Sequence, residues 1–171
     1  MTLRPAVAVI AVLFLASLRL APAEAHVRHA PAPSGCAVIP ISLLDSAFGE
    51  KFNDQPVASP AVPAYAGATG MRCVFSSKPP FARGHETTVD FLVYQEASSA
   101  EAKEAFNKIA VYLADKSKPA PAVGDSTYWQ NPDDTGNWLH VLKGKTHFML
   151  SIQPTDDKQL VGLATAIVKL L

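Results

Sequence analysis

The sequence predicts an α+β fold in which one antiparallel sheet of about five strands packs with three helices. Two observations predict this class. Five short segments are rich in β-branched and aromatic residues with turn signals at their ends, and three others repeat apolar residues at helical spacing. Because short connections make neighbouring strands antiparallel, the expected order is α-β-β-α-β-β-β-α, with one disulfide.

The first helix is short. Ile41, Leu44 and Phe48 share one of its faces, Ser42 is its expected cap, and Gly49 is well placed to end it. The next segment, 50–70, is spaced with prolines and glycines, which predicts a long loop.

The other two helices carry clearer start signals. Ser98 followed by Glu101 is a capping box, which predicts a helix over 99–115. Thr155 or Asp156 is expected to cap the last helix. The five strands are expected at 72–77, 87–95, 126–130, 137–143 and 146–153.

The first 25 residues have the pattern of a signal peptide. Arg4 precedes an uninterrupted apolar run at 6–18, and Ala23-Glu24-Ala25 is an A-x-A cleavage site. The apolar run is shorter than the roughly 20 residues that cross a bilayer. We therefore expect cleavage between Ala25 and His26, and a secreted or periplasmic protein that is soluble afterwards.

Beyond the cleavage site, the sequence predicts an extended leader at 26–35 and one α+β domain at 36–171. A lipid anchor would need a cysteine at the cleavage point, but His26 occupies that position. No membrane anchor is therefore expected after cleavage. The oligomeric state is left open.

Cys36 and Cys73 are the only two cysteines. An even number without C-x-x-C spacing, in an oxidising compartment, indicates one structural disulfide. Two free thiols, one of them reactive, are the alternative. A bridge would stabilise the domain by about 3 to 4 kcal/mol in the chain-entropy model.

The charge balance argues against nucleic acids and anionic membranes as partners. The full chain has 15 basic and 15 acidic residues, and removing Arg4, Arg19 and Glu24 with the signal peptide leaves a formal charge of −1. Nucleic acids and anionic membranes are bound by basic faces, whereas here the two signs alternate along the chain. A protein or a small ligand is the expected partner.

Gly144-Lys145 predicts a two-residue hairpin turn, which fixes the register of the strands on either side. The pairs would be Lys143 with Thr146, Leu142 with His147, Val141 with Phe148, and Leu139 with Leu150. One face then collects core residues, namely Leu139, Val141, Phe148, Leu150 and Ile152.

The opposite face is the candidate binding face. It carries Trp138, His140, Leu142, His147 and Met149, which together are too apolar for a solvated surface. Three kinds of cover are open: the 50–70 loop, a helix in a three-layer arrangement, or a partner.

The same face suggests an alternative function. His140 and His147 lie diagonally across the hairpin with Met149 opposite His140. Two imidazoles and a thioether are suitable copper ligands outside the cytoplasm. The plainer interpretation is that these histidines bond to nearby backbone or water, and no cofactor is expected.

Motifs of catalysis are missing from the sequence. It contains neither G-x-S-x-G nor a phosphate-binding glycine loop, and no role can be assigned to His85 in its glycine-bounded loop. A non-enzymatic binding or interaction domain is therefore the leading prediction, and a hydrolase-type enzyme with an unrecognised site is a further alternative.

Five short landmarks occur in a suggestive order: a cysteine before a short helix ending in an apolar-Gly pair, Gly-x-x-Cys at a strand start, a Gly-Asp turn before an aromatic strand, and Lys-Gly at a hairpin tip. They are Cys36, Phe48-Gly49, Gly70-Met71-Arg72-Cys73, Gly124-Asp125-Ser126-Thr127-Tyr128-Trp129 and Leu142-Lys143-Gly144. In this order the chain resembles a family of small secreted bacterial domains of unknown function, often lipoproteins. The resemblance spans 36–171 and implies a disulfide-bridged α+β sheet domain without catalytic residues. The family's lipid-anchoring cysteine is missing here.

Overall fold

A computed structural model describes residues 35–61, 69–130 and 137–171. The expected signal peptide at 1–25 lies outside the described residues, as does all of the expected leader except Gly35. Among the described residues no helix is both long and apolar enough to cross a membrane.

Seven strands of the described chain form one antiparallel sheet with the order β1-β2-β3-β7-β6-β5-β4. The pairing of β3 with β7 joins the two halves of the sheet. The strands are β1 (Val57–Ala61), β2 (Thr69–Ser76), β3 (Thr88–Gln95), β4 (Ser117–Pro119), β5 (Ser126–Gln130), β6 (Trp138–Lys143) and β7 (Thr146–Gln153).

The prediction of about five strands was wrong, and so was the element order. The structure adds β1, inside the segment predicted as a loop, and the short β4. Both are edge strands that contain a proline, Pro60 and Pro119, and a strand that pairs on one side only tolerates a missing N–H. The first four residues of β1 are exposed, so the sequence shows no alternation there. The observed order is α-β-β-β-α-β-β-β-β-α.

The described residues form three α-helices, and a short 3₁₀ turn at Gly35–Val38 precedes them. They are α1 (Ile41–Phe48), α2 (Ser99–Tyr112) and α3 (Asp157–Val168).

The helix ends agree with most of the expected signals. Pro40 rather than Ser42 precedes α1, and Gly49 ends it with a left-handed φ of 67°. The Ser98 side chain accepts a hydrogen bond from the backbone N–H of Glu101 at the start of α2, and Asp156 caps α3 in the same way.

The predicted register of the β6–β7 hairpin is confirmed. Lys143 pairs with Thr146, and the later pairs continue without a slip to Leu139 opposite Leu150. The five core residues predicted from this register are all fully buried. They lie on the face that α1 and α3 cover, where Leu160, Leu163, Ala164 and Ile167 of α3 complete the main core.

The disulfide between Cys36 and Cys73 ties the 3₁₀ turn to β2. Cys73 is fully buried in the main core, so the bridge fixes the start of the domain to the centre of the sheet's first half. The prediction of a disulfide is confirmed, and neither cysteine is free.

Helix α2 packs on the opposite face of the sheet, against β6 and β7. Its Ala102 and Phe106 form a second buried cluster with Tyr128 and Leu142 of the sheet. Of the three covers considered for this face, a helix in a three-layer arrangement is the one observed over these strands.

The tip of the β6–β7 hairpin is held by a turn before β5. The carboxylate of Asp125 accepts hydrogen bonds from the backbone N–H of Gly144 at 2.8 Å and from Lys143 Nζ at 3.1 Å. These bonds hold the pKa of Asp125 below its usual value, and the bond from Gly144 contributes most. The preceding Gly124 has a φ of 68°, and a Cβ there would be 2.4 Å from the Leu142 carbonyl oxygen.

Gly124→Ala should therefore destabilise the domain much more than Gly84→Ala. Both glycines have positive φ, so alanine costs about 1 to 2 kcal/mol at either position. Only Gly124 adds a clash with backbone, since nothing lies within 4 Å of a Cβ at Gly84. We expect a further loss of about 2 kcal/mol for Gly124→Ala in urea unfolding. Equal losses in the two variants would contradict the close packing of this turn.

Candidate functional site

A cavity of about 470 Å³ lies between the C-terminal half of α2 and the sheet. Strands β3, β5, β6 and β7 supply its floor, and α2 supplies the opposite wall. The lining residues are Tyr94, Glu96, Gln130, His140, His147 and Met149 from the sheet side and Ala105, Ile109, Tyr112 and Leu113 from the helix side. Most of this lining is apolar or aromatic, which is typical of small-molecule sites.

His140 lies at the floor with no exposed surface. Its Nε2 is 2.7 Å from Gln130 Oε1, and its Nδ1 is 2.8 Å from the hydroxyl of Tyr128. Because Oε1 can only accept, Nε2 carries the proton and donates it to Gln130. The bare Nδ1 then accepts from the Tyr128 O–H, so both ring nitrogens are satisfied in the neutral form.

His147 is the second buried imidazole of the floor. Its Nε2 is 3.3 Å from His140 Nδ1, and the two rings stack with centroids 5.5 Å apart. The Tyr94 ring stacks on His147 from the β3 side at 5.7 Å, and Phe106 of α2 meets it edge-on at 5.1 Å. Aromatic rings on two sides therefore fix its orientation.

Both histidines are uncharged at neutral pH. Burial lowers the pKa of His140 to about 2, with a smaller contribution from His147, and burial lowers the pKa of His147 to about 4. The floor of the cavity therefore offers polar groups without formal charge.

The charge in the lining comes from Glu96, which follows β3. Its backbone N–H donates to the carbonyl of Lys145 at 3.0 Å, which ties it to the hairpin tip. Burial, followed by the nearby Glu101, raises the pKa of its carboxyl group. Burial also raises the pKa of Tyr94. No lysine or arginine is among the described residues that line the cavity.

The structure divides the five residues of the candidate binding face. His140, His147 and Met149 all line the cavity, and Met149 pairs directly with His140 as predicted. Leu142 instead packs in the buried cluster with Phe106, and Trp138 is half-buried without lining this cavity.

Sequence reasoning missed the other lining residues because they come from elements whose pairing a single hairpin does not fix. Tyr94 is opposite His147, and Gln130 is opposite Trp138, so both could have been found once the neighbours of β7 and β6 were known. Ile109 and Leu113 lie within the helix predicted at 99–115, but nothing in the sequence indicated which surface that helix covers.

Metal-ligating groups are sparse in the described residues, where no cluster of three or more His, Cys, Asp or Glu side chains could hold an ion. His140 uses both ring nitrogens in hydrogen bonds, so a metal would have to displace Tyr128 or Gln130. His85 is exposed in its loop. The structure therefore does not assign that residue a role as a catalytic base.

No family model, no curated protein and no solved structure matches this chain. The resemblance to small secreted bacterial domains accordingly stays a prediction.

Acid should unfold the domain through the two buried histidines. Their folded pKa values lie below the ordinary value of about 6.5, so the unfolded chain binds more protons once the pH falls below 6.5. The contribution of each neutral histidine to stability is thus fully present above that pH. It is lost progressively as the pH falls, down to about pH 4 for His147 and about pH 2 for His140. Each histidine contributes up to about 1.4 kcal/mol per pH unit.

His147→Phe should remove one of these contributions while keeping a ring between Tyr94 and Phe106. Between pH 7.5 and pH 5 we expect its free energy of unfolding to fall by about 2 kcal/mol less than that of the parent protein. Ile152→Val, in the core on the other face, is the control that destabilises without removing a titrating group. Parallel pH profiles for the parent protein and His147→Phe would show that His147 is not held neutral.

Proposed function

We propose that this protein is an extracytoplasmic, non-enzymatic binding domain that holds a small, largely apolar organic molecule between α2 and the sheet. The observation that carries the proposal is the cavity of about 470 Å³ with buried, neutral histidines at its floor. A cavity of this volume can hold a small organic ligand. A few polar groups in fixed positions can orient that ligand.

The disulfide and the signal-peptide pattern at 1–25 support the extracytoplasmic location. Within this proposal, cleavage between Ala25 and His26 releases a domain that is secreted or periplasmic. The resemblance to small secreted bacterial domains agrees with that location.

The preorganised floor supports reversible binding rather than a reaction. Gln130 and Tyr128 hold His140 in one tautomer through hydrogen bonds of 2.7 and 2.8 Å. A histidine whose pKa is about 2 is a very weak base, far from the range near neutrality that general acid–base catalysis uses. Met149 and the aliphatic residues of α2 offer shape and apolar surface.

Naphthylmethanol, a neutral aromatic alcohol, is a suitable first probe. From its size we expect a dissociation constant of roughly 1 mM. In an NMR titration the shifted backbone amides should cluster in β3, β5, β6, β7 and the C-terminal half of α2. Shifts confined to the opposite face, or no binding at all, would refute this function.

Filling the cavity should abolish that binding. Ala105 lines the cavity and is largely buried, so Ala105→Leu places three further carbons where the probe would lie. Ala100→Leu makes the same chemical change at an exposed position near the start of α2 and should leave the affinity unchanged. Thermal melts establish that both variants are folded. Undiminished binding by a folded Ala105→Leu variant would place the probe elsewhere.

Copper binding is the second candidate function, because His140, His147 and Met149 line the same cavity. It is less favoured since the ring nitrogens of His140 are already hydrogen-bonded. A Cu(I) titration against a competing chelator separates the two functions. If this site holds copper, His140→Ala abolishes the affinity and Met149→Leu weakens it; an unchanged dissociation constant in His140→Ala removes copper from this site.

A further inference from the structure

The formal charge in the described lining of the cavity is negative. Glu96 is the only residue of the described lining with a formal charge at neutral pH, since both histidines are neutral. Its carboxylate forms no salt bridge with any described residue. Lys145, whose carbonyl it contacts through its backbone N–H, has an exposed side chain and does not line the cavity.

The position of α2 adds to this negative potential. The cavity lies under the helix's last turn and its C-cap, where Tyr112 and Leu113 line it. A helix C-terminus carries partial negative charge on its last carbonyl groups, and no basic residue occupies the last turn of α2 to offset it. Lys116 follows in the next turn with an exposed side chain.

Two tyrosines provide aromatic surface at the same site. Tyr94 lies half-buried in the floor, with its ring stacked on His147, and Tyr112 is 87% exposed on the helix side. The faces of such rings attract organic cations. An anionic ligand would meet a carboxylate and a helix C-terminus, and the described lining residues offer it no positive charge.

We propose that the cavity selects organic cations, namely amphipathic amines whose ammonium group pairs with Glu96 and whose apolar body lies against Ile109, Leu113 and Met149. This inference rests on the proposed binding function and names its ligand class. A partly desolvated carboxylate gains more from a bound cation than an exposed one does, because water screens the pair less. Glu96 is such a group.

Three probes with one naphthyl body test this selection: naphthylmethylammonium, naphthylmethanol and naphthoate. We expect the ammonium to bind about tenfold more tightly than the alcohol, equivalent to about 1.4 kcal/mol, and the carboxylate to bind at least about tenfold more weakly than the alcohol. Glu96→Gln should reduce the ratio of the ammonium affinity to the alcohol affinity from about tenfold to near one, measured for both probes on the same variant.

Glu101→Gln is the matched control. It removes a nearby carboxylate that does not line the cavity, and glutamine keeps the capping box of α2. The ammonium should still bind this variant severalfold more tightly than the alcohol. A full loss of the preference in Glu101→Gln, with Glu96→Gln unaffected, would overturn the assignment to Glu96.

The other outcomes separate the two proposals. If the alcohol binds in the cavity and the ammonium binds no better, the charge selection is wrong and the binding function stands. If naphthoate binds most tightly, the charge selection is overturned as well. If none of the three probes binds, the binding function fails and its ligand class fails with it.

Discussion

The two-residue turn at Gly144 and Lys145 is the constraint on which the rest of this structure depends. It fixes which side chains of β6 and β7 face α3 and which face α2, because a slip of one residue would exchange the two faces. Three contacts from outside the hairpin secure the same tip. Asp125 accepts from Gly144 and from Lys143, and its own backbone N–H donates to the carbonyl of Leu142 at 2.8 Å.

Both faces of this hairpin are apolar, so the sheet needs cover on both sides. Helices α1 and α3 bury the core residues that β6 and β7 present on the first face, whereas α2 covers the second face incompletely. Phe106 fills the space above Leu142 and beside His147, but the smaller Ala105 and the aliphatic Ile109 leave a cavity above His140 and Met149. The candidate site is therefore the part of the second face that the helix does not fill, and the same helix keeps water from the histidines and so keeps them neutral.

The sequence was sufficient for the features that local patterns determine. The hairpin register, the capping box at Ser98 and the disulfide each follow from a few residues close to a turn, a helix start or a cysteine pair. The edge strands β1 and β4 were missed because Pro60 and Pro119 argue against strands and exposed residues need not alternate. The cavity was missed in part because its shape depends on where α2 lies. An apolar helix face indicates that this face is buried, but it does not indicate which surface of the protein buries it. Glu96 could not be distinguished from other acidic residues until its place beside β7 was known.

The central claim is that α2 shields an uncharged histidine pair at the floor of a ligand cavity. The nitrogen-15 NMR spectrum of the imidazole rings tests it most directly, because the ring shifts report the charge and the tautomer of each histidine. At about pH 5.5, where an exposed histidine is mostly protonated, the account predicts that His140 and His147 both remain neutral. It also predicts that the proton of His140 is on Nε2. Protonation of either ring with an ordinary pKa would mean that water reaches this face freely, and it would contradict the account.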